Sequence, residues 1–340
     1  MKQIDLHNKT IVISRTDSIG DVILTLPLCR WIKQKYPSCK LIFLGKNYTK
    51  PILECFPSID QIVCWNEYEK LNKEKQIKAI RSLHADVFVH VFPNKHLAKL
   101  VKKAKVDYRI GTSHRFYHNL TCNIRPSFTR KNSSLHESQL NFELIRSLGL
   151  KDIPSMNDIA NLIQEFYINE PLPEPFKKLI DSNKKKIIIH PKSQGSAVEW
   201  PIEKYISLAK KLVNENYSIY FSGTEKEGKM FRDSLPKDDN IKDISGRMTL
   251  SEFIGFINEC DMLLACSTGP LHIASVLGKS AIGLYTKKRP MHPGRWSPIG
   301  INSKVVTSNF KGDFKTLSPI KDIKAIDIDT VYSAIAIEKE

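Results

Sequence analysis

Four short stretches of this sequence place hydroxyls, glycines and charged groups directly after apolar runs, where a folded chain can hold an anion. In ACSTGPLHIASVLG (265–278) the run delivers Ser267, Thr268 and Gly269 into the first turn of an expected helix. Free N–H groups and the positive dipole end are available there. Gly269 allows close approach, and Pro270 suits an early helical position because its missing N–H would have had no internal partner. His272 lies one turn beyond Thr268, toward the same side. IIIHPKSQGSAVEW (187–200) follows its run with Lys192, Ser193, Gln194, Gly195 and Ser196, a cation with hydroxyls and backbone donors suited to a diphosphate. In FSGTEKEGKMF (221–231), Gly223 permits a tight turn and Glu225 or Glu227 can accept from ribose hydroxyls. In ISGRMTL (244–250), Gly246, Arg247 and Met248 would border a base. Each stretch alone also fits an ordinary capped helix start; two phosphate-type loops after separate strands favour a nucleotide.

The stretch ISRTDSIGDVILTLPL (13–28) differs. It turns from strand to helix with one glycine, Gly20, where a dinucleotide loop has three, and presents Asp21 where such a loop offers bare N–H groups. Neither GxGxxG nor a Walker A loop occurs, which argues against a nicotinamide oxidoreductase and a P-loop enzyme. The DID at 327–329 matches a metal-binding DxD literally, but its terminal position and lack of acidic neighbours favour a helix cap at Asp329 or Thr330. No metal site is expected.

These residues need rigid elements. Strands are expected at 10–15, 40–45, 61–65, 86–92 and 108–111, with helices at 21–36, about 70–83 and 95–104 between them. A further helix is expected from Ser134 to Leu148, stopping at Gly149. The polar, proline-bearing stretch 151–183 marks the crossing to a second domain, where strands are expected at 186–190, 218–223, 261–266 and 280–285. The pattern predicts an α/β protein of two Rossmann-like domains, with ligands at the carboxyl ends of parallel strands and chemistry in a cleft between domains. Expected bounds are 1–165, 166–320 and a terminal helix over 321–340 packing back toward the N-terminal domain.

The chain has 340 residues, with 52 Lys and Arg against 36 Asp and Glu, a formal charge of +16 that favours anionic partners. No run approaches the roughly 18 apolar residues of a membrane span, so a cytoplasmic protein is expected. The seven cysteines form no CxxC pair and read as reduced core residues. The basic stretches lack a zinc-finger pattern or an aromatic platform, so nucleic acid is not the expected partner.

Taken in order, RTDSIGDVILTLPL, HPKSQGSAVEWP, SGTEKEG, GRMTL and STGPLHIASVLGKSAIGLY followed by HPGRWSPIG resemble glycosyltransferase family 9, the bacterial heptosyltransferases of the lipopolysaccharide inner core. The resemblance spans nearly the whole chain. It implies the GT-B fold, two Rossmann-like domains facing a central cleft, and inverting, metal-independent transfer of heptose from ADP-heptose to a Kdo or heptose hydroxyl. No cofactor is implied beyond this donor. By motif, Lys192, Ser193, Thr268 and Gly269 would meet the diphosphate, with Gln194 and Gly195 in the same loop. Glu227 would meet the ribose, Met248 the adenine surroundings and His272 the same pocket. Asp21 matches the general base, with Ser18 and Gly20 beside it on the acceptor side.

An anionic lipid-linked acceptor would give the basic N-terminal segments a purpose, with Arg109, His114 and Arg115 as contacts and the protein resting on the cytoplasmic face of the inner membrane as a monomer. Two positions depart from the family pattern: Ser267 stands where many members have aspartate, and Val198 where many have a lysine or arginine. The alternatives are transfer of another nucleotide-activated hexose and a degenerate nucleotide-sugar-binding protein without transfer.

Overall fold

The computed structural model describes residues 3–131, 133–310 and 317–336. The chain forms two compact units, Met1–Tyr167 and Ile168–Glu340. In the first, strands β1 (Thr10–Ser14), β2 (Lys40–Gly45), β3 (Gln61–Cys64), β4 (Val87–His90) and β5 (Tyr108–Ile110) form a parallel sheet in the order β3-β2-β1-β4-β5. In the second, β6 (Lys185–His190), β7 (Tyr217–Phe221), β8 (Ile241–Asp243), β9 (Met262–Cys266), β10 (Ser280–Tyr285) and β11 (Ser303–Thr307) form another, in the order β11-β10-β9-β6-β7-β8. Both sheets are doubly wound. The strand order reverses between β1 and β4 in one and between β6 and β9 in the other, the points at which doubly wound sheets bind ligands beyond the carboxyl ends of their strands.

The central strands are buried on both faces, as unbroken apolar runs require: Ile11, Val12 and Ile13 in β1 and Ile187, Ile188 and Ile189 in β6 are fully inaccessible. Where strand burial fixes the framework, helix ends depend on local chemistry. The helix expected at 21–36 is two, Ile19–Ile23 and Leu26–Lys35, because Pro27 cannot continue a hydrogen-bond ladder. The carbonyls left at the break accept side-chain donors: Thr25 Oγ1 bonds Asp21 O at 2.9 Å and Asn141 Nδ2 bonds Leu24 O at 3.1 Å. The helix expected from 134 begins instead at Glu137 under a His136 cap. It tightens to a 3-10 form over Glu143–Leu148 before ending at Gly149.

The unit boundary falls after Tyr167. The terminal helix, Ile328–Ala336, places Val331 and Ile335 in the core of the second unit, and Asp329 pairs with Lys211 at 2.9 Å. It therefore belongs to the second unit, and Asp329 lies in its first turn rather than at the expected cap. All seven cysteines are buried and none forms a disulfide. No helix among the described residues is long and apolar enough to cross a membrane.

Candidate functional site

The first unit's candidate site is the turn after β1. Ser18 caps the Ile19–Ile23 helix, accepting from Asp21 N at 3.5 Å, and its hydroxyl donates to Asp21 Oδ2 at 2.5 Å. Gly20 is buried inside that short helix. The other carboxylate oxygen, Oδ1, accepts from Arg15 Nη2. Arg15 was absent from the expected site, yet it organises it. Its side chain is only 4% exposed and forks to three carboxylates, with Nε at 2.8 Å from Asp17, Nη2 on Asp21 and Nη1 at 3.5 Å from Glu137. Nη1 also lies 3.3 Å from Asn141 Oδ1. Arg130 supplies a second cation, 3.1 Å from Glu137 Oε1.

A planar five-donor guanidinium can serve these directions at once, and a lysine cannot. Burial opposes the Arg15 charge, but Asp21, Asp17 and Glu137 outweigh it and hold its pKa above the ordinary value. Burial pushes the Asp17 carboxyl up to about 6 against the pull of Arg15, with the Asp21 charge adding to the rise. A carboxylate has about four lone-pair sites, so Asp21, with one contact on each oxygen, retains acceptor capacity for a substrate hydroxyl.

The proposed acceptor residues lie after β5 and divide. His114 and Arg115 are exposed in the loop beyond the strand, and Arg115 begins the Phe116–Thr121 helix. Arg109 turns back: its Nε donates to Thr121 O at 2.8 Å and its Nη1 to the carbonyls of Val106 and Asp107. These bonds secure β5 to the following helix and engage the guanidinium expected to meet an acceptor.

In the second unit the loops after β6 and β9 are neighbours across the strand reversal, since His190 pairs with Ala265 in register. Thr268 caps the Gly269–Val276 helix without a side-chain cap bond, and its buried Oγ1 meets no hydrogen-bond partner. An orphaned buried hydroxyl beside free helix N–H groups is a donor set awaiting an acceptor. Ser267 is half-buried beside it, and its hydroxyl bears on the Tyr285 phenol. His272 is buried one turn on.

The loop after β6 turns at Gln194 and Gly195, with φ of 50° and 82°; the second value suits glycine. Its charge is not open as expected. Glu199 closes onto the loop, taking Lys192 Nζ at 3.1 Å and both the N–H and hydroxyl of Ser193 at 2.9 Å. The carboxylate thus occupies the donors that sequence reasoning assigned to a diphosphate. Glu227 is also partly engaged: Oε2 accepts from Thr224 N at 2.8 Å and Thr224 Oγ1 at 2.9 Å as a capping box, which commits that oxygen to the helix start. Met248 is half-buried in the turn after β8. Beneath these loops His190 Nδ1 lies 3.0 Å from Ser222 Oγ, and burial holds its imidazole down to about 4 against the nearby Glu227 and Glu199 charges. Among the described residues, no group of three or more His, Cys, Asp or Glu is placed to hold a metal ion.

Two doubly wound units, each built on a parallel sheet, are the architecture of the GT-B class. Solved structures share this architecture: a family 9 glycosyl transferase from Veillonella parvula matches with a TM-score of 0.77 at 17% identity, covering 98% of each chain. The E. coli heptosyltransferase WaaC with ADP-2-deoxy-2-fluoro heptose matches at 0.71 and 17%, covering 97% of this chain and 99% of that one. The chain belongs to glycosyltransferase family 9 (heptosyltransferase), whose family model matches residues 74–323. A putative glycosyltransferase of Haemophilus influenzae is 27% identical over 303 residues, 85% of this chain and 86% of its own. The lipooligosaccharide heptosyltransferase 2 of the same organism is 23% identical over 292 residues, 81% of this chain and 82% of its own.

Proposed function

We propose that this enzyme transfers heptose from ADP-heptose to a Kdo or heptose hydroxyl of a lipid-borne core saccharide, with inversion and without a metal. The observation that carries the reading is the orphaned Thr268 hydroxyl at a helix start beside the Ser193 loop, a donor set for a leaving diphosphate. The acceptor hydroxyl attacks the anomeric carbon, the bond to the diphosphate oxygen breaks on the opposite face, and the hydroxyl proton passes to Asp21. Backbone N–H groups at Gly269, the Thr268 hydroxyl and Lys192 stabilise the charge that develops on the departing ADP. Lys192 does this once its contact with Glu199 is exchanged for phosphate. The remaining contacts follow the motif: Gln194 and Gly195 in the loop, Glu227 Oε1 on the ribose, Met248 at the base and His272 in the same pocket. Ser18 and Gly20 shape the acceptor side, with His114 and Arg115 meeting its anionic groups at the cytoplasmic face of the membrane.

Transfer of another nucleotide-activated hexose is the second reading, favoured by Ser267 in place of an acidic sugar contact and by the neutralised Lys192. A mass-spectrometric screen of ADP-, UDP-, GDP- and CMP-activated sugars with truncated lipopolysaccharide acceptors separates the two. Added heptose from ADP-heptose alone is expected, and added hexose from another donor selects the second reading. Nucleotide binding without any added sugar mass refutes transfer. EDTA is expected to leave turnover unchanged. Asp21→Asn should abolish nearly all turnover while ADP affinity stays within about threefold, since the side chain meets the acceptor rather than the nucleotide; full turnover would remove Asp21 from the proton transfer.

A further inference from the structure

The Phe116–Thr121 helix carries its apolar residues on the wrong side for a helix in water. His118, Thr121 and Cys122 point inward and are buried, while Phe116 is 80% exposed and Leu120, one turn later, is 62% exposed. Among the described residues, few exposed side chains are as large and as bare. The surroundings are cationic to an unusual degree. Between positions 95 and 131 the sequence has ten Lys or Arg and a single acid, Asp107.

Three of those cations are fixed to the end of the same helix. Lys102 Nζ donates to Leu120 O at 2.7 Å, Arg109 Nε to Thr121 O at 2.8 Å and Arg125 Nη1 to Cys122 O at 2.7 Å. Three consecutive carbonyls at the negative end of the helix dipole are thereby covered by positive charge, and Arg115 adds a fourth cation at its start. The neighbouring Lys95–Lys103 helix buries Leu97, Leu100 and Val101 and turns its lysines to solvent.

We propose that this helix is a membrane-docking element, with Phe116 and Leu120 inserting at the headgroup boundary of a bilayer bearing anionic lipid and the collar of cations lying on its surface. An apolar pair alone would fit many partners. The charge selects this one, because an exposed aromatic and an aliphatic side chain ringed by lysine and arginine match an interface that is apolar below and negative above. The helix follows β5, whose carboxyl end shares one edge of the parallel sheet with the Asp21 turn after β1, so docking would present that edge to a lipid-borne substrate. The purpose of docking rests on the transfer reading, whereas the binding does not.

The test is partition of the full-length protein onto phosphatidylcholine vesicles with and without phosphatidylglycerol, with no sugar donor present. Binding is expected only with phosphatidylglycerol, weakening as salt is raised. The paired substitution Phe116→Ser with Leu120→Ser should lower the partition coefficient at least about tenfold. Phe116→Trp should keep it, and the emission of the introduced indole should shift to the blue when anionic vesicles are added. Transfer to a soluble, deacylated acceptor should be unchanged in the serine pair, which separates failure of docking from failure of catalysis. Equal binding to neutral and anionic vesicles, no binding to either, an unshifted emission in the Phe116→Trp variant, or a parent dimer that the serine pair dissociates would each overturn the proposal.

Discussion

Asp17→Asn tests the electrostatics of the acidic turn. Burial raises the Asp17 carboxyl from its ordinary 3.8 to about 6, although Arg15 lies 2.8 Å away. The native protein therefore holds a proton that the unfolded chain has already released between those two values. Over that window stability falls as pH rises, and above about 6 the full cost is present. At 1.36 kcal/mol per pH unit, the difference between 3.8 and about 6 is worth about 3 kcal/mol. An asparagine does not ionise, and its amide oxygen can still accept from Arg15 Nε. The variant should thus be more stable than the parent by about 1–3 kcal/mol at pH 8, the range allowing for the weakened Arg15 contact, with the difference vanishing by pH 4. Native-state hydrogen exchange of β1 and β4 amides reads this unit separately from the other, and parent and variant compared at each pH cancel the remaining titrations. A variant less stable than the parent at pH 8 would show that the Asp17–Arg15 attraction outweighs desolvation and would refute the reasoning.

Arg15→Lys keeps the charge but not the fork, and should cost about 2–4 kcal/mol in urea unfolding together with most of the turnover; a parent-like protein would remove Arg15 as organiser. Burial holds His90 down to about 3, so the unfolded chain takes a proton below its ordinary 6.5 that the native chain refuses, and stability is lost as pH falls from there. His90→Leu should recover about 2 kcal/mol of that loss near pH 4.5 in unfolding curves compared with those at pH 8, and an unchanged acid slope would count against it. Glu199→Gln releases Lys192 while keeping an acceptor for Ser193, and should tighten ADP binding about threefold to tenfold by calorimetry, whereas Lys192→Ala should weaken it; unchanged affinity in both would take the diphosphate out of this loop. Gly300→Ala should destabilise the second unit by about 1–3 kcal/mol in thermal unfolding, because its Cβ would lie 1.9 Å from Ser275 O; an unchanged midpoint would mean that the backbone there gives way freely.

The framework was legible because burial on both faces of a parallel sheet leaves unbroken apolar runs: β2 and β10 occupy the expected residues, and most other strands differ at one end or both by a residue or two. Local chemistry set the misses. Pro27 and Thr25 divide a helix whose apolar period runs through them. The engagement of Glu227 is written in the Thr-x-x-Glu spacing of a capping box. Glu199 lay inside the quoted loop, but nothing in linear order says that a carboxylate will fold back onto the donors before it. Arg109 stands near a strand end, yet its long side chain runs back along the strand to Val106, which linear order does not show. Half of the Arg15 network is local, with Asp17 and Asp21 in the same RTDSIGD stretch, but Glu137 and Asn141 are brought to it only by the fold.

That separation has a consequence for the birth of the protein. Asn141 leaves the ribosome 126 residues after Arg15, which at about 5–20 residues per second is roughly 6–25 s. For that interval β1 and its turn exist as nascent chain with Asp17 and Asp21 beside Arg15 but without Glu137 and Asn141. The contacts of Nη1 with Glu137 and Asn141 must wait until the Glu137–Phe142 helix emerges. The network around Arg15 is thus completed by the last third of the first unit, and a chain arrested before Glu137 would carry the motif with only the local half of that network.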